Sequence, residues 1–193
     1  MGHNKPQIIL ASASPRREQL LREMGLRFVV VSPENAEELT GGAAADVVAM
    51  HNAQLKARAV AGRHPDSMVI GADTIVVLAG QIFGKPRDRG EARRMLGQLA
   101  GQRHEVITGV CLVHRSLDTE LVFADTTRVW MRRLSPAQIA DYLASINPLD
   151  KAGAYAIQEH GEGIIERIDG SYSNVVGLPV ERLRATLERL GMF

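Results

Sequence analysis

Residues 68–78 are the most apolar run in the chain, and a polar pair, Asp73-Thr74, interrupts it near the middle. A run of this composition predicts a central β-strand. A carboxylate inside such a strand is costly unless it is hydrogen-bonded, charge-paired or bound to a metal. Asp73 is open to three readings: a structural aspartate bonded to backbone, a metal ligand, or a general base at a cleft. The small neighbours Gly71 and Ala72 leave room for a ligand to approach.

The rest of the pattern alternates helices and strands around that core. Residues 8–11 and 27–31 read as strands, separated by a helix with Ser14 as N-cap and Pro15 at its first position. Leu20, Leu21 and Met24 give that helix an apolar face, and Gly25 stops it. Residues 43–61 form a helix by composition. Ala79-Gly80 turns the central strand into a short hairpin with residues 81–83. An amphipathic helix follows over 88–99, then two long antiparallel strands over 105–114 and 121–131. Ser135-Pro136 opens another helix, 163–168 reads as a strand, and 179–190 is a closing helix. No strict βαβ repeat exists, so the expected class is α/β with a mixed, twisted sheet and flanking helices. At 193 residues this is one domain, 1–193.

Composition excludes several functions. A net charge of +1 argues against a general binder of nucleic acid or anionic membrane. Cys111 is the single cysteine, so an internal disulfide is impossible and a cysteine-built zinc site is unsupported. Its run Val110-Cys111-Leu112-Val113 reads as buried core. The six histidines show no HxxH or HExxH spacing. No apolar stretch approaches the roughly 20 residues of a membrane helix, and the first apolar residues are too few for a signal sequence. The expected location is the cytoplasm.

Three features break the ordinary pattern. Arg16 and Arg17 stand in the first turn of a helix, where an acidic residue would be stabilising. They are either a solvated pair or part of an anion site built from free N–H groups, the Ser12 and Ser14 hydroxyls and guanidinium forks. Of 23 cationic residues only Lys5, Lys56, Lys85 and Lys151 are lysine. Lys85, in Gly84-Lys85-Pro86, and Lys151, in Asp150-Lys151-Ala152-Gly153, are surface residues or point charges for a phosphate. The segments 150–158 and 170–174 read as loops, presenting Gln158 to a ligand or serving as plain turns.

Together these blocks resemble the Maf family of nucleoside triphosphate pyrophosphatases, over nearly the whole chain. They are Leu10-Ala11-Ser12-Ala13-Ser14-Pro15-Arg16-Arg17, Gly71-Ala72-Asp73-Thr74, Gly84-Lys85-Pro86-Arg87-Asp88, Asp150-Lys151-Ala152-Gly153-Ala154-Tyr155-Ala156-Ile157-Gln158 and Ser171-Tyr172-Ser173-Asn174-Val175-Val176-Gly177-Leu178-Pro179. His104-Glu105-Val106-Ile107-Thr108-Gly109 also fits the family pattern. The resemblance implies hydrolysis between the α and β phosphates, a divalent metal (Mg²⁺ or Mn²⁺), and two lobes around a central cleft in an ITPase-like fold. It also implies a homodimer in many members. By position, Asp73 matches the general base, and Ser12, Arg16, Arg17, Lys56, Lys85 and Lys151 match polar and basic cleft positions. Asp73 and Glu37 match the metal-holding acids, with Glu34 competing for the second place. Arg16, Thr74 and Gln158 match positions tied to substrate choice.

The wording around Lys151 and Ser171 is similar to the branch acting on dTTP and UTP rather than that acting on 7-methyl-GTP. Two departures stand out: Asn147 where Glu is usual, and Trp130-Met131 where a V-x-F pattern is usual. The competing expectations are a nucleotide-binding regulator of septum formation without turnover, and a pyrophosphatase for another, modified nucleotide such as 7-methyl-GTP. Local charge favours a single metal-bound triphosphate: residues 1–33 carry five Lys/Arg and two Glu, while 34–46 carry four acids and no base.

Overall fold

The computed structural model describes residues 6–34 and 39–193. Seven strands form one mixed sheet: β1 (Ile8–Ala11), β2 (Val29–Val30), β3 (Met68–Leu78), β4 (Gln81–Phe83), β5 (Arg103–His114), β6 (Thr119–Met131) and β7 (Ile165–Asp169). Their order is β2-β1-β3-β5-β6-β7, with β4 paired to β3. The helices are α1 (Pro15–Glu23), α2 (Ala45–Ala61), α3 (Arg89–Leu99), α4 (Pro136–Ser145), α5 (Gly161–Ile164), α6 (Tyr172–Val176) and α7 (Val180–Arg189). None among the described residues is long and apolar enough to cross a membrane.

The central strand spans the residues its apolar run predicts. β1 runs parallel to it only from Met68 to Gly71. β4 joins it only from Val76 onward, after a two-residue turn at Ala79 and Gly80, both at positive φ. Between these partners the β1-side edge of β3 has no strand neighbour, and Asp73 and Thr74 lie in that gap. The opposite edge is paired continuously with β5, from Val69↔Val113 to Val77↔Glu105.

Period-two alternation divides β3 between two cores. Val69 packs with Ala53, Ala57 and Val60 of α2 on one face. Ile70 and Ala72 pack on the other face with Leu20 and Leu21 of α1 and with Leu183 and Leu187 of α7. Toward the far end, Val76 and Val106 join Leu96, Leu99, Ile139 and Leu143 of α3 and α4. Asp73 therefore faces α2, while Thr74 faces the opposite side.

Some expected elements are different in the fold. β2 is two residues long rather than 27–31, because it is the sheet's outermost strand and bonds only to Ile9 and Leu10. β7 begins at Ile165, since residues 161–164 make one helical turn first. The segment after Gly170 is not a loop: Ser171 accepts a hydrogen bond from the Asn174 amide and caps α6. Ser14 occupies the N-cap position of α1, but its hydroxyl caps nothing; the Ser14 amide instead donates to Ser12 Oγ at 3.1 Å. Cys111 is buried, and burial pushes its thiol up to about 12. Met131 is core, while Trp130 carries the Arg167 guanidinium 3.4 Å above its ring.

Candidate active site

The gap beside β3 opens into a cleft of about 380 Å³ at the carboxyl end of β1. That volume lies within the range of small-molecule sites. The chain leaves β1 at Ala11, passes Ser12 to Ser14 along the rim and enters α1, so the helix start points at the cleft.

The floor is built by a close helix-to-sheet approach. A β-carbon at Gly71 would collide with the Ala53 carbonyl and lie 2.7 Å from the Ala57 nitrogen. A β-carbon at Gly109 would collide with the Ala49 backbone. Gly71 thus makes room for α2, and Ala72 is buried in the core against α1 and α7; neither leaves room for a ligand, which corrects the sequence expectation. Ala49, Ala53 and Ala57, spaced by four, form the contacting stripe. Asn52 and Lys56, also spaced by four, are carried down onto Asp73. Lys56 Nζ donates to Asp73 Oδ1 at 2.6 Å, with both side chains only 10% exposed. Asn52 Nδ2 donates to Asp73 Oδ2 at 3.0 Å. One lone-pair direction on each oxygen is left by these two bonds.

The opposite side of β3 holds a second network. Arg17 Nη2 donates to Thr74 Oγ1 at 3.0 Å, Nη1 to Ser12 Oγ at 3.3 Å, and Nε to the Gly177 carbonyl at 2.8 Å. Thr74 Oγ1 is also 3.0 Å from Thr108 Oγ1, and Thr108 Oγ1 donates to the Asn174 carbonyl. The Thr74 hydroxyl is therefore engaged in fixing Arg17 and the 174–177 backbone. Nearby, buried His104 Nε2 meets Tyr155 Oη at 2.7 Å. Burial lowers the His104 imidazole to about 4 and raises the Tyr155 phenol.

At the rim, Arg16 reaches across the cleft. Its Nη1 donates to Asp150 Oδ2 at 2.9 Å and its Nη2 to the Asp150 carbonyl at 3.0 Å. Lys151 donates to Asp150 Oδ1 at 2.9 Å and to the Asn147 carbonyl at 2.8 Å, and pairs with Glu159 at 3.1 Å. Partial burial pushes the Asp150 carboxyl upward, but hydrogen bonds from Lys151 and Arg16 outweigh it and hold it below its usual value. Position 147 thus contributes a backbone oxygen to Lys151, and Glu159 supplies a carboxylate.

The cleft gathers Ser12, Ser14, Arg16, Arg17, Lys56, Asp73, Thr74, Lys85, Lys151 and Gln158. Of these, Lys85 and Gln158 are exposed and make no hydrogen bond among the described residues. Lys151 is on the wall with its ammonium already taken by three acceptors. Glu37 lies outside the described residues. Glu34 pairs with Arg63 at 3.2 Å and does not line the cleft. Sequence reasoning overlooked Asn52, Asp150 and Glu159. For Asn52 a signal existed: its spacing of four from Lys56 on a helix whose adjacent stripe is alanine.

No group of three or more His, Cys, Asp or Glu among the described residues could hold a metal unaided. One floor carboxylate, Asp73, nonetheless fits a magnesium-type mode, in which one or two carboxylates and substrate phosphates share the ion.

Three comparisons bear on this site. A family model for Maf-like proteins matches residues 7–190. A protein of Symbiobacterium thermophilum named dTTP/UTP pyrophosphatase is 48% identical over 96% of this chain and 94% of its own length. One of the same name from Dictyoglomus thermophilum is 46% identical over 97% of each. Among solved structures, the Staphylococcus aureus Ham1 protein superimposes with a TM-score of 0.57 at 17% identity, over 95% of this chain and 99% of its own. That likeness establishes the shared fold.

Proposed function

The chain belongs to the Maf family, and from that premise we propose that its cleft hydrolyses dTTP or UTP to the nucleoside monophosphate and pyrophosphate. The observation that carries this reading is the floor carboxylate, Asp73, beneath five basic residues: Arg16, Arg17, Lys56, Lys85 and Lys151. Asp73 and Asp150 are the only carboxylates among the described lining residues. A site of that balance suits a polyanion meeting a single base. The relatives named dTTP/UTP pyrophosphatase support the choice of nucleotide.

In this reaction a water oxygen adds to the α phosphorus. The bond from that phosphorus to the α–β bridging oxygen breaks, and that oxygen leaves with the pyrophosphate. Asp73 takes the proton of the attacking water through a remaining lone pair. Lys56, fixed by Asp73, and Lys85, exposed at the mouth, oppose the charge growing on the leaving group. Ser12 and Arg17 form one rigid unit through their mutual hydrogen bond, and Ser14 and Arg16 flank it for phosphate contact. Lys151 acts from the wall by holding Asp150, the carboxylate that Arg16 exchanges for phosphate. A divalent cation, Mg²⁺ or Mn²⁺, would be held by Asp73 and would neutralise phosphate charge there; Glu37 is its second expected holder.

Base choice rests on Gln158, whose amide can donate and accept against the O4/N3 edge of uracil or thymine. Thr74 contributes by fixing Arg17 and the Gly177 carbonyl rather than by offering a free hydroxyl. The chain is read as one domain whose two lobes, around α1 and α7 and around α3 and α4, meet at this cleft.

The test is incubation of purified protein with each nucleoside triphosphate and Mg²⁺ or Mn²⁺. Pyrophosphate from dTTP and UTP above all others is expected. Orthophosphate, or no product with tight nucleotide binding, would overturn the reading.

A further inference from the structure

Asn52 is 1% exposed, and every polar atom of its amide has a partner. One N–H goes to Asp73 Oδ2 at 3.0 Å and Nδ2 also reaches the Leu39 carbonyl at 2.9 Å. Its Oδ1 accepts from the Leu39 amide at 2.8 Å. The environment thus presents two acceptors and one donor, and a primary amide supplies two N–H groups and one oxygen. An aspartate here would set carboxylate against carboxylate. An alanine would strand Asp73 Oδ2 and both backbone groups of Leu39. The amide orientation is fixed by the same logic, since the flipped form would oppose two oxygens at Asp73.

Lys56 alone would leave the Asp73 carboxylate free to turn about its Cβ–Cγ bond. Two donors from consecutive turns of one helix, one on each oxygen, fix its plane. The helix cannot shift to follow, because Gly71 and Gly109 let its backbone sit directly on the sheet. We propose that Asn52 is a positioning residue for the reaction: it fixes the orientation of Asp73 toward the attacking water. This rests on the hydrolysis proposed above.

The experiment compares Asn52→Asp and Asn52→Ala with the wild type at saturating Mg²⁺. It measures kcat and KM for dTTP, affinity for a dTTP analogue with a non-hydrolysable α–β bridge, and thermal midpoint. Misplacing a reacting group costs on the order of 10²-fold in rate. The expected result is a kcat loss of roughly 10- to 10²-fold in Asn52→Ala and a larger one in Asn52→Asp, because two adjoining carboxylates cannot both stay ionised. KM and analogue affinity should hold within about threefold. A residue that merely anchors Leu39 predicts the reverse order, because aspartate keeps the acceptor for the Leu39 amide. That reverse order, or kcat within threefold of wild type in both, overturns the proposal. Should Asn52→Asp fail to fold, Asn52→Ala decides alone: kcat lost at unchanged affinity supports the role, and affinity lost at unchanged kcat overturns it. Wild-type protein that releases no pyrophosphate defeats the hydrolysis reading and this proposal with it. Active wild type with insensitive variants defeats the proposal only.

Discussion

Among the described residues the cleft holds two carboxylates, each bonded to a lysine and to a second nitrogen donor, and their settings differ. Asp73 and Lys56 sit on the floor with 10% of each side chain exposed. Asp150 and Arg16 sit on the rim at 45% and 22%. Desolvation of the floor pair consumes most of its Coulombic gain, so it adds little net stability, although removing one partner strands a buried charge. The rim pair is partly solvated and worth about 0–1 kcal/mol. An incoming phosphate can compete with Asp150 for Arg16, whereas it cannot cheaply separate Lys56 from Asp73. On the proposed reading, the floor is preorganised for chemistry and the rim is exchangeable.

The largest break in that contrast is Asp73→Asn. Turnover should fall by roughly 10²–10⁴, the usual scale for a general base. The asparagine oxygen can still accept from Lys56, so affinity for a non-hydrolysable analogue should persist. Single-turnover kinetics beside equilibrium binding would separate the two. Near-normal turnover would remove Asp73 from the reaction.

Gly71→Ala tests how the floor is made. The added β-carbon meets α2 backbone, not a flexible side chain. Overpacking of this kind costs about 1–3 kcal/mol or more. A loss of about 3 kcal/mol by denaturant titration is expected, with turnover falling as Asn52 and Lys56 lift from Asp73. A variant of unchanged stability would mean the helix can move.

These two sites also mark what could be read from the sequence. The central strand, its hairpin and the 88–99 helix were legible because their signals are local: an apolar run, a two-residue turn, and an apolar face repeating along the helix. Lys56, Asp73 and the arginine pair were legible as unusual residues. Their partners were not. Arg16 meets Asp150 across 134 residues and Arg17 meets Gly177 across 160. No local pattern encodes such distances. Gly71 was misread for the same reason: a small residue declares space, but only the fold says whether helix or ligand fills it.

His104 separates burial from charge pairing. It is as buried as Asp73, but its partner is the neutral Tyr155 hydroxyl. With its folded pKa lowered to about 4, the native state stays unprotonated while the unfolded state takes up a proton below about pH 6.5. The unfolded chain binds more protons in that window, so stability rises with pH between 4 and 6.5 and is lost on acidification. The loss should reach about 2–3 kcal/mol by pH 4.5. Denaturant midpoints at pH 7 and 4.5 would record it, and His104→Gln should flatten the difference. An unchanged slope would assign the acid loss to the carboxylates instead.

The smallest expected effect falls on the rim. Asp150→Asn removes one negative charge from the path of a triphosphate and weakens the hold on Arg16. It keeps an oxygen that can accept from Lys151. Stability should change by less than about 1 kcal/mol. KM for dTTP should fall by roughly fivefold, the equivalent of about 1 kcal/mol of relieved repulsion in a wet site. Turnover at saturation should stay within about twofold, because Asp150 contacts neither Asp73 nor Lys56 among the described residues. High salt should narrow the KM difference, as screening does for exposed charges. A rise in KM would carry the opposite meaning: Arg16 would then bind phosphate only while Asp150 aims it, and the rim would be preorganised in the same way as the floor.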